Sequence, residues 1–317
     1  MPGYGHAERR REQGRNIVVL LVKRWVLRGM NQNSQKKKGE KDMKRFILGV
    51  FAVVFALFMF TAAAQAASGV GSGGLAIDNV PNIVGVAVGM LPDYTGSTHY
   101  MFGAAPFVKY TFEGNMYVRL LATDLQVNLI DNPVMRFGPA FSYYFKRGDN
   151  VENSQVASMK EIDGGFNAGA FVGIELPKAD NPRQRFIANL EWLDDISGKY
   201  AGYTLTATAT YWYPVAMPVD LFLGVSSTYG DKNYMQTYFG VSPSDSLRSG
   251  LPVFDAGAGM RDFTFSGGGI YHLTKEWHLA AGLRYQKLLD DANNSPVVNI
   301  AGTSSQVIFG LGVAYSW

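Results

Sequence analysis

The sequence predicts an all-β fold: a transmembrane antiparallel up-and-down β-barrel of about twelve strands, with ten as the alternative count. Three observations predict it. Large apolar side chains alternate with small or polar ones in segment after segment, the period of a strand with one greasy face. Connections between these segments fall into a short set and a long set that take turns along the chain, as in a barrel with tight turns at one rim and loops at the other. Finally, residues 303–317 alternate almost without error and end on an aromatic, with Val307, Phe309, Leu311, Val313, Tyr315 and Trp317 on one face.

The first third of the chain divides by charge. Residues 1–66 hold 13 Lys/Arg against 4 Asp/Glu, a balance of +9, whereas residues 67–317 hold 16 against 22, a balance of −6. Lys44-Arg45, the apolar run Phe46–Phe60 and the small residues ending Ala64-Gln65-Ala66 have the layout of a secretory signal peptide. The run is short for a helical span of about 20 residues. Residues 43–66 are therefore read as the signal peptide, cleaved after Ala66, and Met43 as a natural start. Residues 1–42 are an upstream extension or a mis-assigned start, and 67–317 the barrel. The basic run Lys36-Lys37-Lys38 precedes an export signal, so no nucleic-acid partner is expected. The chain has no Cys, which removes disulfide scaffolds and thiol chemistry.

The strands follow in order. Phe102, Ala104, Pro106, Val108, Tyr110 and Phe112 share one face, opposite Lys109 and Thr111. Phe137, Pro139, Phe141, Tyr143 and Phe145 repeat the pattern, then Phe166–Leu176, then Phe186, Ala188, Leu190 and Trp192. Leu205, Ala207, Ala209 and Tyr211 oppose Thr204, Thr206, Thr208 and Thr210. Trp277, Leu279, Ala281, Leu283 and Tyr285 oppose His278, Ala280, Gly282, Arg284 and Gln286. A soluble sandwich would put many Lys and Glu on its second face. Here that face is mostly Gly, Ala, Thr and Ser, which suits a narrow lumen with lipid outside. In the last strand Ile308 is the one large apolar residue on the inner face.

Short turns are expected near 113–115, 131–133, 177–184, 214–218 and 274–276, and longer outer loops at 92–99, 147–161, 230–259 and 290–302. A tight outer turn near Ala122–Asp124 splits 115–130 into two short strands; without it the count would be odd and the termini would lie on opposite sides. Tyr110, Phe112, Phe145, Trp192, Tyr211, Tyr213, Trp277 and Trp317 would form the interfacial girdles, with Trp317 the barrel-closing aromatic beside the first strand, near Ile83–Met90.

Candidate chemistry is sparse. His272 and His278 flank a short turn, the first near the rim and the second in the lumen, and His99 lies in the first outer loop without a Ser–His–acid arrangement. Asp194-Asp195 and Asp290-Asp291 are adjacent pairs whose side chains diverge on a strand. Asp290, Asp291, Asn293 and Asn294 carry oxygen ligands, but their spacing alone is weak grounds for Ca²⁺. Gly267-Gly268-Gly269 lacks the Lys-Ser/Thr of a phosphate loop and reads as close packing in a narrow barrel. No catalytic residue, cofactor or metal is expected. Lumen charges number four of mixed sign, Lys109, Glu175, Glu191 and Arg284, a thin lining for a wide solute channel. The 230–259 loop is far longer than a hairpin needs. Its Tyr234, Met235, Gln236, Thr237, Tyr238, Phe239 and Gly240 form the candidate plug or docking loop, and inward folding to constrict the lumen is the favoured reading.

Several strings resemble the MipA/OmpV family of outer-membrane proteins: Val84–Tyr94 running into Thr95-Gly96-Ser97, Phe137–Tyr143, Tyr234–Val241, Ser249–Pro252, Asp255–Gly259, Leu288–Ala292 and Ser295–Val298. The resemblance covers residues 82–317. It departs at Trp317, where many members end in Phe, and in the 150s loop and Pro177–Arg185. It implies a non-enzymatic scaffold at the bacterial outer membrane, surrounded by membrane lipid and lipopolysaccharide. The implied partners are a lytic transglycosylase, a murein synthase and, during biogenesis, the barrel-assembly machinery. A small or gated pore, or an adhesin acting through the outer loops, is the alternative.

Overall fold

The computed structural model describes residues 82–112 and 114–317; the proposed leader and its cleavage site lie outside them. Twelve antiparallel strands close into one barrel: β1 (Asn82–Pro92), β2 (Tyr100–Thr111), β3 (Tyr117–Leu121), β4 (Asp124–Asn128), β5 (Met135–Tyr144), β6 (Gly165–Lys178), β7 (Asn181–Asp195), β8 (Tyr203–Ala216), β9 (Val219–Gly230), β10 (Gly259–His272), β11 (Trp277–Leu288) and β12 (Ser305–Ser316). Each strand pairs with the next, and β12 returns to β1 with Ile83 opposite Ser316 and Met90 opposite Phe309. Closure removes both sheet edges, which is how strands survive in lipid. Trp317 donates its backbone N–H to Asn82 O at 3.2 Å, and its ring is exposed at the rim where both termini of the barrel meet.

The alternation has its expected physical sense. Val307, Phe309, Leu311, Val313 and Tyr315 are exposed outward, while Gln306, Gly310, Ala314 and Ser316 are buried within. The two-residue turn Ala122–Thr123 joins β3 to β4, with Ala122 at φ 52°, the positive value such hairpin turns demand. Two of the predicted short turns are tighter than expected. β6 and β7 run on to Lys178 and from Asn181, and β8 and β9 to Ala216 and from Val219, so residues 177–184 and 214–218 are largely strand.

Three of the outer loops carry short helices. Loop 145–164 carries α1 (Ser154–Ala157); loop 231–258 carries α2 (Lys232–Phe239) and α3 (Pro243–Ser249); loop 289–304 carries α4 (Asp290–Asn294) and α5 (Pro296–Asn299). Their apolar residues form two clusters at the outer end of the barrel. One joins Tyr144, Tyr200, Tyr234, Met235, Phe239, Leu288, Ala292 and Val298, and the other Tyr94, Val151, Val156, Met159, Val241, Leu251 and Val297.

Candidate functional site: the outer plug and the filled lumen

Asp231 starts the plug. Its carboxylate accepts from Tyr234 N and from Tyr203 N, both at 3.0 Å, capping α2 while tying it to the β8–β9 rim. The helix turns Tyr234, Met235 and Phe239 inward; none is more than 4% exposed. Tyr234 Oη accepts from Arg261 Nη1 at 2.6 Å, and Arg261 Nε donates to Asp262 Oδ2 at 2.6 Å. Arg261 reaches the lumen because β10 is irregular between Met260 and Asp262, which places two consecutive charged side chains on the inner side. Tyr234 and Tyr238 sit 4.7 Å apart, ring to ring, with Tyr200 edge-on to both, and Tyr200 is bonded to Asn167. Gln236 Oε1 accepts from Ala256 N at 2.7 Å, folding the rest of the loop back on the helix. Gly240 ends it, where a Cβ would fall 2.4 Å from Gln236 O. Thr237 sits half-buried on the helix.

Neighbouring loops lock this plug. Arg147 Nη1 donates to Tyr238 O at 2.7 Å and Ser295 Oγ to Phe239 O at 2.5 Å. In α3, Ser242 Oγ accepts from Asp245 N while Asp245 Oδ2 accepts from Ser242 Oγ, a reciprocal cap, and Gly250 at φ 73° stops the helix. Asp245 Oδ1 also accepts from Lys160 N at 2.6 Å and pairs with Arg248. Burial raises its pKa, but the Ser242, Lys160 and Arg248 bonds outweigh that and hold it below the ordinary carboxylate range. Burial, with Asp93 beside it, pushes the Tyr94 phenol up to about 12.

Below the plug the lumen is filled in layers. First comes a polar layer in which Arg119 donates to Gln126, Gln126 to Glu191, and Ser142 to Asp124. Next is an apolar layer: Ile83, Phe107, Leu121, Trp212, Phe222, Ile270 and Ala314, with Ile187 and Ala280 against it. Trp212 and Phe222 meet at 4.9 Å, and Gly268 makes room, since a Cβ there would lie 2.7 Å from the Phe222 ring. A water-filled channel would leave inward side chains wet; from Ile83 to Ala314 the buried residues of this layer are at most 6% exposed, and Ile187 and Ala280 are half-buried. At the periplasmic mouth Arg136 pairs with Glu175 at 2.8 Å, Arg183 with Asp220, and Arg185 stacks over Trp212 at 5.6 Å.

The lumen is therefore more charged than the four residues read from the sequence. Arg119, Asp124, Arg136, Arg183, Arg185, Asp220, Arg261 and Asp262 join Glu175, Glu191 and Arg284, mostly as bonded partners. Of these, only Asp124 and Arg183 lie in segments the sequence assigns to turns; the others flank the apolar runs that mark the strands. Lys109 faces Tyr117, 5.3 Å from its ring. His272 is the last residue of β10, at the rim, and both histidines face inward, directly paired across β10–β11. They complete a chain from Asp220 to His272 (2.9 Å), His278 (Nδ1 to Nδ1, 2.8 Å) and Ser316 (2.8 Å). Ser316 is 6% exposed and its Oγ lies 3.3 Å from Lys275 O, so this chain braces the mouth where β12 ends. His99 pairs instead with Glu152 at 3.2 Å. Asp290 and Asp291 each accept a backbone N–H, from Met260 and Gly257, and Asp195 accepts those of Ser197, Tyr200 and Ala201. These carboxylates are loop caps. Among the described residues no group of three or more His, Asp or Glu is placed to hold a metal ion.

A protein-family profile described as MltA-interacting protein MipA matches residues 84–317, nearly all of the described barrel. The chain belongs to the MipA family. It is an outer-membrane β-barrel of that family. Among curated proteins none matches this MipA-family chain significantly. Among solved structures it is similar to the NanC porin (12% identity, 74% of this chain and 100% of that chain, TM-score 0.42). It is also similar to the KdgM porin (13%, 74% and 99%, TM-score 0.37) and to OmpT of Vibrio cholerae (13%, 68% and 65%, TM-score 0.35).

Proposed function

We propose that this MipA-family barrel is a non-conducting docking platform that presents its periplasmic turns to murein-processing enzymes, a lytic transglycosylase and a murein synthase. The filled lumen carries the reading: inward side chains that would line a solute path are spent on bonds and packing with one another, which leaves the surfaces for work. The family's description, an interaction with MltA, points the same way. The periplasmic connections are short, and their tips hold exposed apolar groups, Leu129, Met217 and Leu273, beside Asp131, Lys178, Asp180 and Lys275. Apolar anchors within a polar rim are the usual make-up of a protein interface.

The test is photo-crosslinking in intact cells from positions 217 and 273, with outer-loop position 247 as control, followed by identification of the captured protein. Capture of a murein enzyme from the two periplasmic positions alone supports the reading. Capture from position 247 alone favours an adhesin acting through the outer loops.

A further inference from the structure

Among the described residues the strand ladder is interrupted at the short β3–β4 hairpin, which leaves a notch between β2 and β5. β1 and β2 pair over the full length Asn82–Pro92 with Tyr100–Tyr110. β3 pairs with β2 only from Phe107 to Thr111, and the last bond is Ala122 N to Pro106 O at 2.8 Å. β3 and β4 are five residues each, between neighbours of twelve and ten. The outer half of β2, Tyr100–Ala105, thus has a strand neighbour on its β1 side only among the described residues. Six residues of strand amount to roughly 20 Å of open edge.

Residues around this notch share a chemistry. On its lipid side Phe102 is 75% exposed and Ala104 is exposed. On its lumen side Met101, Gly103 and Ala105 continue the face of the buried Phe107, and all three are half-buried rather than sealed. Leu91 lies over Gly103, its Cδ2 2.7 Å from where a Cβ would sit, and Ile308, the lone apolar exception on the inner face of β12, is likewise half-buried. Charges border this apolar patch rather than sit in it: Arg284 lies opposite Ile308 across β11–β12, and Asp124 follows the turn of the β3–β4 hairpin below. Loop 145–164 roofs it, crossing from β5 to the first loop through Glu152 N to Asp93 Oδ2 (2.9 Å) and His99 to Glu152 (3.2 Å).

We propose that this notch is a lateral window through which an acyl chain of an outer-leaflet lipopolysaccharide reaches the apolar inner wall formed by Leu91, Met101, Gly103, Ala105 and Ile308. An unpaired strand edge in hydrocarbon is unfavourable, because its N–H and C=O groups find no partner there. The opening is therefore placed at the polar–apolar boundary of the leaflet, where head groups and water serve the edge while a tail passes inward. An amphiphile satisfies both needs; a sugar or an ion would meet only the edge. The inference is independent of the docking role.

The experiment replaces Met101, Ala105, Phe102 and Thr208 one at a time by the photo-crosslinker p-benzoylphenylalanine, keeping only variants that retain the heat-modifiable folded band. Cells are irradiated and the purified barrel is weighed by mass spectrometry. Phe102 touches surrounding lipid in any barrel. Thr208 faces the lumen from β8, whose two edges are both paired. The window predicts lipopolysaccharide-fragment adducts at Met101 or Ala105 as well as at Phe102, and none at Thr208. Folded variants with lipid adducts at Phe102 alone, phospholipid or peptide adducts at Met101 and Ala105, or equal lipid labelling at Thr208 would each overturn it.

Discussion

The barrel is closed twice, and the two closures are built differently. At the outer end a loop helix brings Tyr234, Met235 and Phe239 down onto Arg261 and the tyrosines of two other segments, through bonds between residues far apart in sequence. Toward the periplasm, side chains of the strands themselves meet: Trp212, Phe222, Ile270 and Ile83 need no loop to place them. The outer closure is a piece of chain that can be deleted; the inner one belongs to the wall. A plug alone would make this a gated pore. The second layer makes the filled lumen a property of the barrel.

The largest expected effect comes from removing both. With residues 234–241 deleted, adding Trp212→Ala and Phe222→Ala should turn a silent barrel into one with resolved conductance steps in planar bilayers, while either change alone stays silent. Steps from the Trp212→Ala, Phe222→Ala barrel with its plug intact would show that the outer closure leaks. Next is Arg261→Ala, which leaves Asp262 buried without its cation. Breaking one side of a buried pair costs about 3–5 kcal/mol, read as a lower urea midpoint for the folded band in detergent. An unchanged midpoint would mean that the pair is wet. Tyr234→Phe removes only the bond from Arg261, about 1.5–3 kcal/mol for a bond to a charged group. It should raise protease cutting within 231–258 before it affects the barrel.

Arg261→Ala and Tyr234→Phe probe the plug's attachment to the wall; Asp245 probes its attachment to loop 145–164. Its carboxyl is held below its unfolded value, so its stabilisation is present above the ordinary carboxylate range, about pH 4. That stabilisation fades as pH falls through the lower folded value. Loop protection against an acid-active protease should therefore drop in that acid window in the parent and be flat with pH in Asp245→Asn. The effect at neutral pH is small, about 1 kcal/mol or less for a partly exposed pair.

The strand wall was legible in sequence, but not the inner closure, since Trp212, Phe222 and Ile270 stand on a face read as mostly Gly, Ala, Thr and Ser. Period-two alternation sorts Val307 from Gln306 and Tyr211 from Thr210 because burial in a barrel wall is a one-dimensional pattern. Loop parity located the Ala122–Thr123 turn. The lumen charges were hidden where strands run past their turn signals: Arg183 and Arg185 follow Pro182 in a segment that resembles a loop, yet they lie on β7. The α3 helix had a readable start in Ser242-Pro243-Ser244-Asp245 and a stop in Gly250, so its omission was avoidable. The partners of Tyr234 were not. Tyr144, Tyr200 and Arg261 come from three separate segments, and nothing local to residues 230–259 names them.

The closed lumen is tested most directly by liposome swelling with neutral sugars, comparing intact protein with the form lacking residues 234–241. Neither form should give swelling, because the Trp212–Phe222 layer still fills the barrel beneath the missing plug. Sugar permeation through the intact protein, or through the deleted form at a rate typical of an open porin, would contradict it.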